Sequence, residues 1–151
     1  MPSVSALLKL SRPISSSRDK GIRSVCLPES EPHSTHRCIA TGWGRNQSTG
    51  DLSNTLRQIA VPLHNISICT EKYGPSVTLH AGHLCGGALD GLSGACIGDS
   101  GGPLQCSHKD GRWYLAGITS FGSGCAQPGY PDVYTRLSFY LPWIRKQLNI
   151  I

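Results

Sequence analysis

From Cys38 onward, apolar positions come in short runs and strict alternations broken by glycine and proline, the periodicity of strands rather than helices. Cys38–Trp43 predicts one strand, ended by Gly44. Ile59, Val61 and Leu63 alternate with other residues and predict a second with one apolar face, usable only where Pro62 owes no ladder N–H. His83–Gly86, Gly102–Cys106, Trp113–Phe121 and Asp132–Leu137 predict four more. Six short strands with glycine-rich turns fit a small closed antiparallel barrel, an all-β fold. Ser67–Tyr73 predicts a short helix between the second and third strands. Residues 6–10, Ala-Leu-Leu-Lys-Leu, predict a short strand ahead of the barrel, and residues 11–37, rich in Ser, Arg and Pro, a connector. At the other end, Tyr140, Trp143, Ile144, Leu148 and Ile151 recur at helical spacing, with Pro142 suited to a first turn and Arg145 and Lys146 facing out. The chain therefore divides into residues 1–37, a barrel over 38–137 and a packed amphipathic helix over 138–151, with no internal repeat.

Composition supports this picture. Of 151 residues, 18 are Gly and 10 Pro, only 15% are charged and 38% are hydrophobic, a balance that excludes disorder. No apolar run approaches the roughly 20 residues a bilayer span needs. The first ten residues lack the basic start and apolar stretch of a signal peptide. The net charge is +5, from 14 Lys and Arg against 9 Asp and Glu, and is scattered apart from a loose group at Arg12, Arg18, Lys20 and Arg23. A solvated connector accounts for that group; an anionic-polymer site has no further support, and nothing points to nucleic acid. Seven cysteines suggest an oxidising compartment and a disulfide framework, and the odd number leaves one thiol free or bonded to another chain. Such a framework without a secretion signal leads us to expect that the start of a parent protein is missing.

Residues 98–106 read Gly-Asp-Ser-Gly-Gly-Pro-Leu-Gln-Cys. Glycines around Asp-Ser allow a tight turn that presents Ser100 and frees the N–H groups of Gly98 and Ser100 to point at one spot. Two such donors can hold a developing oxyanion, where losing one costs about 3–4 kcal/mol, and the hydroxyl is a candidate acyl-transfer nucleophile. The bland alternative is a structural glycine-rich turn. The surrounding blocks bear on that choice. Ala6–Leu10, Cys26-Leu27-Pro28, Thr41-Gly42-Trp43-Gly44, Ala81–Cys85, Gly98–Pro103, Gly117–Gly122, Val133-Tyr134-Thr135 and Pro142-Trp143-Ile144 follow in one order along the chain. In these blocks the chain resembles the trypsin/chymotrypsin-like serine proteases, with the plasminogen and elastase branches nearest.

That resemblance implies the second barrel of a two-barrel fold, preceded by the last strand of the first barrel and the inter-barrel connector in residues 1–37. It implies peptide-bond hydrolysis in a secreted parent, with protein or peptide substrates and protease inhibitors as partners, and no cofactor. It implies disulfides Cys38–Cys106, Cys69–Cys85 and Cys96–Cys125, leaving Cys26, which in relatives with long N-terminal regions bonds that region. A zinc site at His80, His83 and Cys85 would break the second pair. Ser100 is then the nucleophile, Gly98 and Ser100 the oxyanion donors, and Asp99 the partner of the amino terminus freed on activation. Ser120-Phe121-Gly122 would pair with the substrate backbone, Phe121 standing where tryptophan is commoner. The floor of the pocket for the residue before the cut is Gly94, beside Ala95, where trypsin-like members carry Asp. Asp132 stands where most members have Gly, on the opposite wall, as in some complement proteases that cut after Arg. Two readings stay open: a pocket carboxylate at Asp132 with a basic preference, or a turn residue there with a small apolar pocket.

The family's histidine block, Ala-Ala-His-Cys, is absent. The six histidines, 33, 36, 64, 80, 83 and 108, all follow the point where the first barrel ends. The position of the triad aspartate, two residues before Ala6, is Val4, and the activation sequence is absent. The expectation is a truncated, catalytically silent half of a protease domain with an exposed apolar face. The alternative is a non-catalytic pseudo-protease binding module; a basic module for heparin-like polymers has only the charge of +5 behind it. Asn46-Gln47-Ser48 and Asn65-Ile66-Ser67 are candidate glycosylation sequons.

Overall fold

The computed structural model describes residues 5–14 and 21–148. Its elements are β1 (Arg37–Gly42), β2 (Arg57–Ala60), β3 (Leu63–His64), α1 (Ile66–Tyr73), β4 (His83–Gly86), β5 (Pro103–Ser107), β6 (Trp113–Phe121), β7 (Asp132–Arg136) and α2 (Leu137–Leu148). The strands form one sheet in the order β2-β1-β5-β6-β7-β4-β3, every adjacent pair antiparallel. The two ends of that sheet are one stretch of chain, since only Val61 and Pro62 separate β2 from β3. Val61 N–H donates to Cys38 O at 2.9 Å on one side, and Gly87 N–H donates to Pro62 O at 2.9 Å on the other. One bent strand thus pairs with β1 through its first half and β4 through its second, and the sheet curls back on itself into a barrel. Pro62 sits at the bend, where its missing N–H removes no ladder bond. Counted as one, the bent strand makes the six that alternation predicts.

Cys38, Ala40, Leu104 and Cys106 point inward from β1 and β5 and join Val61, Tyr114 and Tyr134 in the barrel core. A second cluster under α1 holds Cys69, Tyr73, Cys85 and Val133. β7 is buried on both faces because Tyr134 belongs to the first cluster and its neighbour Val133 to the second. The three disulfides are those the resemblance implies: Cys38–Cys106, Cys69–Cys85 and Cys96–Cys125. The first joins directly opposed residues of β1 and β5, and the second fastens α1 to β4.

Two expectations are corrected. Residues 6–10 form no strand: Leu8 is 86% exposed, and no strand lies alongside to accept a ladder among the described residues. The final helix begins at Leu137, directly after β7, so Pro142 lies in its interior and leaves the Ser138 carbonyl without an i+4 donor. Its buried stripe is Leu137, Leu141 and Ile144, an i, i+4, i+7 face, while Trp143 and Leu148 of the expected face are exposed. Ile151 lies outside the described residues, as do Arg18 and Lys20. The connector binds the barrel's outer surface: Pro28 is buried, Leu115 N–H donates to Cys26 O at 2.8 Å, and Glu29 and Glu31 meet Arg112 and Arg136 at 3.1 and 2.8 Å. No described helix is long and apolar enough to cross a membrane.

Candidate active site

The turn before β5 is held by backbone bonds that leave its middle outside. Gly102 N–H donates to Asp99 O, Gly101 N–H to Thr119 O, and Thr119 N–H to Gly102 O, each at 2.9 Å. Ser100 is exposed at the crest of this turn. Gly98 has φ +99°, a conformation that L side chains rarely adopt, and Leu52 of the preceding loop packs against it. Neither the Gly98 nor the Ser100 N–H, nor the Ser100 hydroxyl, has a hydrogen-bond partner among the described residues.

The carboxylate of Asp99 points away from this crest. Oδ1 accepts from Gly44 N–H at 2.8 Å and Oδ2 from Cys96 N–H at 3.0 Å. A side chain at residue 44 would occupy the carboxylate's place, so only glycine fits there. Asp99 forms no ion pair among the described residues; the two backbone donors hold its carboxylate. Asp99 and Gly44 line a cleft of about 360 Å³, with Arg45 and Asn46 on its rim.

Asp132 is the first residue of β7 and is 6% exposed, not a surface turn residue. Its Oδ2 accepts from Ala95 N–H at 2.9 Å, beside Gly94. Its Oδ1 lies against Gly122, where any Cβ would collide with it. Burial pushes this carboxyl up to about 6, with the Ala95 N–H opposing and the charge of Asp99 adding. The position is held from behind: the buried Tyr73 hydroxyl donates to Pro131 O at 2.8 Å, and its ring packs edge-on against Phe121 and Tyr130. This brace is absent from the sequence reading because Tyr73 is 58 residues from Pro131. β6 reaches past the last residue that β5 pairs, Ile118, so from Ser120 through Gly122 one edge of the strand has no neighbouring strand.

The histidines lie elsewhere. His64 Nε2 contacts Gly87 O at 2.7 Å, His83 is buried against His80 with ring centroids 4.2 Å apart, and His36 and His108 pack on Tyr114 with His33 beside His36. None hydrogen-bonds Ser100, and Val4 lies outside the described residues. The zinc alternative fails because the Cys85 sulfur is bonded to Cys69. Cys26 is an exposed free thiol. Asn46 lies exposed in the loop before Leu52, and Asn65 caps α1, its Oδ1 accepting from Ser67 N–H at 3.0 Å.

Comparison with known proteins shows the family to which the chain belongs. The Trypsin family model matches residues 5–144. The chain belongs to the trypsin family. It is 41% identical over 145 residues to transmembrane protease serine 7 of Mus musculus, covering 93% of this chain and 17% of that protein. It is 38% identical over 145 residues to transmembrane protease serine 9 of Rattus norvegicus, covering 95% and 13%. It is 37% identical over 151 residues to transmembrane protease serine 11G of Rattus norvegicus, covering 96% and 35%. This trypsin-family chain therefore spans about a third or less of the length of these relatives.

Proposed function

We propose that this chain is the C-terminal portion of a trypsin-like serine endopeptidase domain, carrying the nucleophile and the substrate pocket but no general base, and that alone it does not turn over peptides. Ser100 supplies the attacking hydroxyl, the N–H groups of Gly98 and Ser100 receive the oxyanion, and Asp99 orients the turn. The open edge at Ser120, Phe121 and Gly122 takes the substrate backbone as an added strand. Asp132, beside Gly94 and Ala95, sets a preference for Arg or Lys before the cut.

The observation that carries this reading is the solitary Ser100. Its turn is formed and exposed, yet no imidazole reaches its hydroxyl. A serine hydroxyl without a base is a weak nucleophile, and losing triad members leaves only the residual catalysis of binding and oxyanion stabilisation. The parent protein is extracellular, an assignment supported by the three disulfides and by relatives named as transmembrane proteases. Cys26 is placed to bond a second chain there, and Asn46 and Asn65 to carry glycans.

The test is hydrolysis of a fluorogenic peptide amide with Arg before the cut, comparing the chain with Ser100→Ala. Identical background rates are expected. Turnover that disappears in Ser100→Ala would overturn the claim of silence.

A further inference from the structure

The fold brings together three histidines that the nucleophile does not use. His33 and His36 sit on the connector, and His108 on the β5–β6 turn, at the far end of β5 from Ser100. Ring centroids lie 6.2 Å apart for His33 and His36, and 5.6 Å for His36 and His108. His108 stacks on Tyr114 at 4.4 Å, and the Tyr114 hydroxyl lies 2.8 Å from His36 Nδ1. His36 and His108, with Lys109, Asp110 and Arg112, border a cleft of about 350 Å³.

We infer that this cluster is a proton-coupled binding site for a sulfate or phosphate group, with the His36 and His108 rings and Lys109 as its cationic wall and His33 beside His36. The charges around it explain the coupling. Arg112 is already held by Asp110 at 2.8 Å and Glu29 at 3.1 Å, a trio with one net negative charge that offsets the Lys109 ammonium. Arg37 lies over the Trp113 ring at 6.0 Å, at the edge of the same turn. Lys109 makes no ion pair among the described residues. With neutral imidazoles, Lys109 only balances that trio; protonating His36 and His108 on the cleft wall, with His33 beside His36, adds up to three positive charges.

These groups repel one another when charged. His36 is held below the ordinary histidine range, first by burial and then by the positive charges of His108, His33 and Lys109. An anion in the cleft removes that repulsion, so protons and anion must bind cooperatively, each favouring the other by the same factor. The Tyr114 contact of His36 survives the change, while the longer His33 N–H contact to the same Nδ1, at 3.4 Å, is given up. Burial pushes the Tyr114 hydroxyl up to about 12, so it stays protonated, donating to neutral His36 Nδ1 and accepting from the imidazolium. A metal ion fits less well. His36 Nδ1 is taken by Tyr114 and His33 Nδ1 by Thr35 Oγ1 at 3.0 Å, Lys109 and Arg112 repel a cation, and no three-residue ligand group exists among the described residues.

The test is an NMR titration of the histidine rings of the full chain, in sodium sulfate and in sodium chloride at matched ionic strength. The account predicts that sulfate raises the midpoints of His36, His33 and His108 by about half a pH unit, equivalent to about three-fold tighter sulfate binding to each protonated ring. His64 and His80 should not move, and His108→Gln, at a half-buried position, and Lys109→Gln, at an exposed one, should each reduce the rise at His36. A heparin hexasaccharide acting at lower sulfate-group concentration than the free ion would identify a polymeric source; equal potency would identify the free anion. A uniform shift of all six histidines, no shift, or stoichiometric perturbation of the three rings by Zn²⁺ at neutral pH in place of the sulfate effect would each overturn the proposal.

Discussion

The Asp132 carboxylate occupies a place where ionisation is costly. It is enclosed by β7, Gly122 and Ala95, and burial outweighs its one N–H donor, so its folded-state value near 6 lies above the 3.8 of a free side chain. A raised carboxyl favours the protonated form in the folded state. Its cost to stability is therefore fully present above about pH 6, shrinks as pH falls, and is gone below 3.8. Asp132→Asn keeps an acceptor for Ala95 N–H and should stabilise the fold at pH 7.5 by roughly 1–3 kcal/mol, with the gain vanishing near pH 4; thermal melts at both values check it. The same variant should abolish benzamidine binding, which in the parent chain should weaken as pH falls through about 6. Calorimetry across that range reads the dependence directly, and pH-independent binding would place the cation elsewhere. At this scale the sequence showed which residue to watch, because Asp132 keeps a fixed distance from Cys125 and Tyr134. It did not show burial, which depends on Gly122, just past the end of β6, lacking a side chain.

Among the elements, the strands were the most legible because alternation between barrel core and surface is written in the order of residues. β4 and β6 fall on His83–Gly86 and Trp113–Phe121 as predicted; the strands predicted from Cys38, Gly102 and Asp132 shift by one residue at one or both ends, and the one through Ile59, Val61 and Leu63 divides at its bend into β2 and β3. The helix face was misread because aromatic residues in α2 mark the periphery, whereas Leu137 and Leu141 fill the contact with the barrel. The strand expected at residues 6–10 shows the limit of local pattern: an apolar run becomes a strand only when another strand takes up its hydrogen bonds. α1 is short and acts through one tyrosine. Tyr73→Phe removes a buried hydroxyl's bond to Pro131 O and leaves that carbonyl without its donor. It should cost about 1–3 kcal/mol in chemical denaturation and lower benzamidine affinity, since the strand end carrying Asp132 loses its brace. Unchanged affinity would show that the brace is structural only.

For the whole molecule, topology and covalent links carry the order that a modest core cannot supply alone. Cys38–Cys106 ties residues 68 apart across the β1–β5 pair. Replacing both by Ala should cost about 4 kcal/mol by the loop-entropy argument, read as a lowered denaturation midpoint under non-reducing conditions. The disulfide pairing was legible only through the family resemblance, since spacing alone permits many connectivities. The histidine cluster around Tyr114 was not legible at all, because the connector folding onto the β5–β6 turn brings together residues from opposite ends of β1 and β5. The proposed lack of a general base rests on two observations: none of the six histidines stands in the family's block, and none hydrogen-bonds Ser100 among the described residues. That absence is the central claim, and reaction with a fluorophosphonate probe tests it most directly, because such probes label only an activated serine. Intact mass of the full chain under non-reducing conditions should show no adduct. An adduct on Ser100, lost in Ser100→Ala, would mean that the chain activates its own nucleophile and would contradict the account.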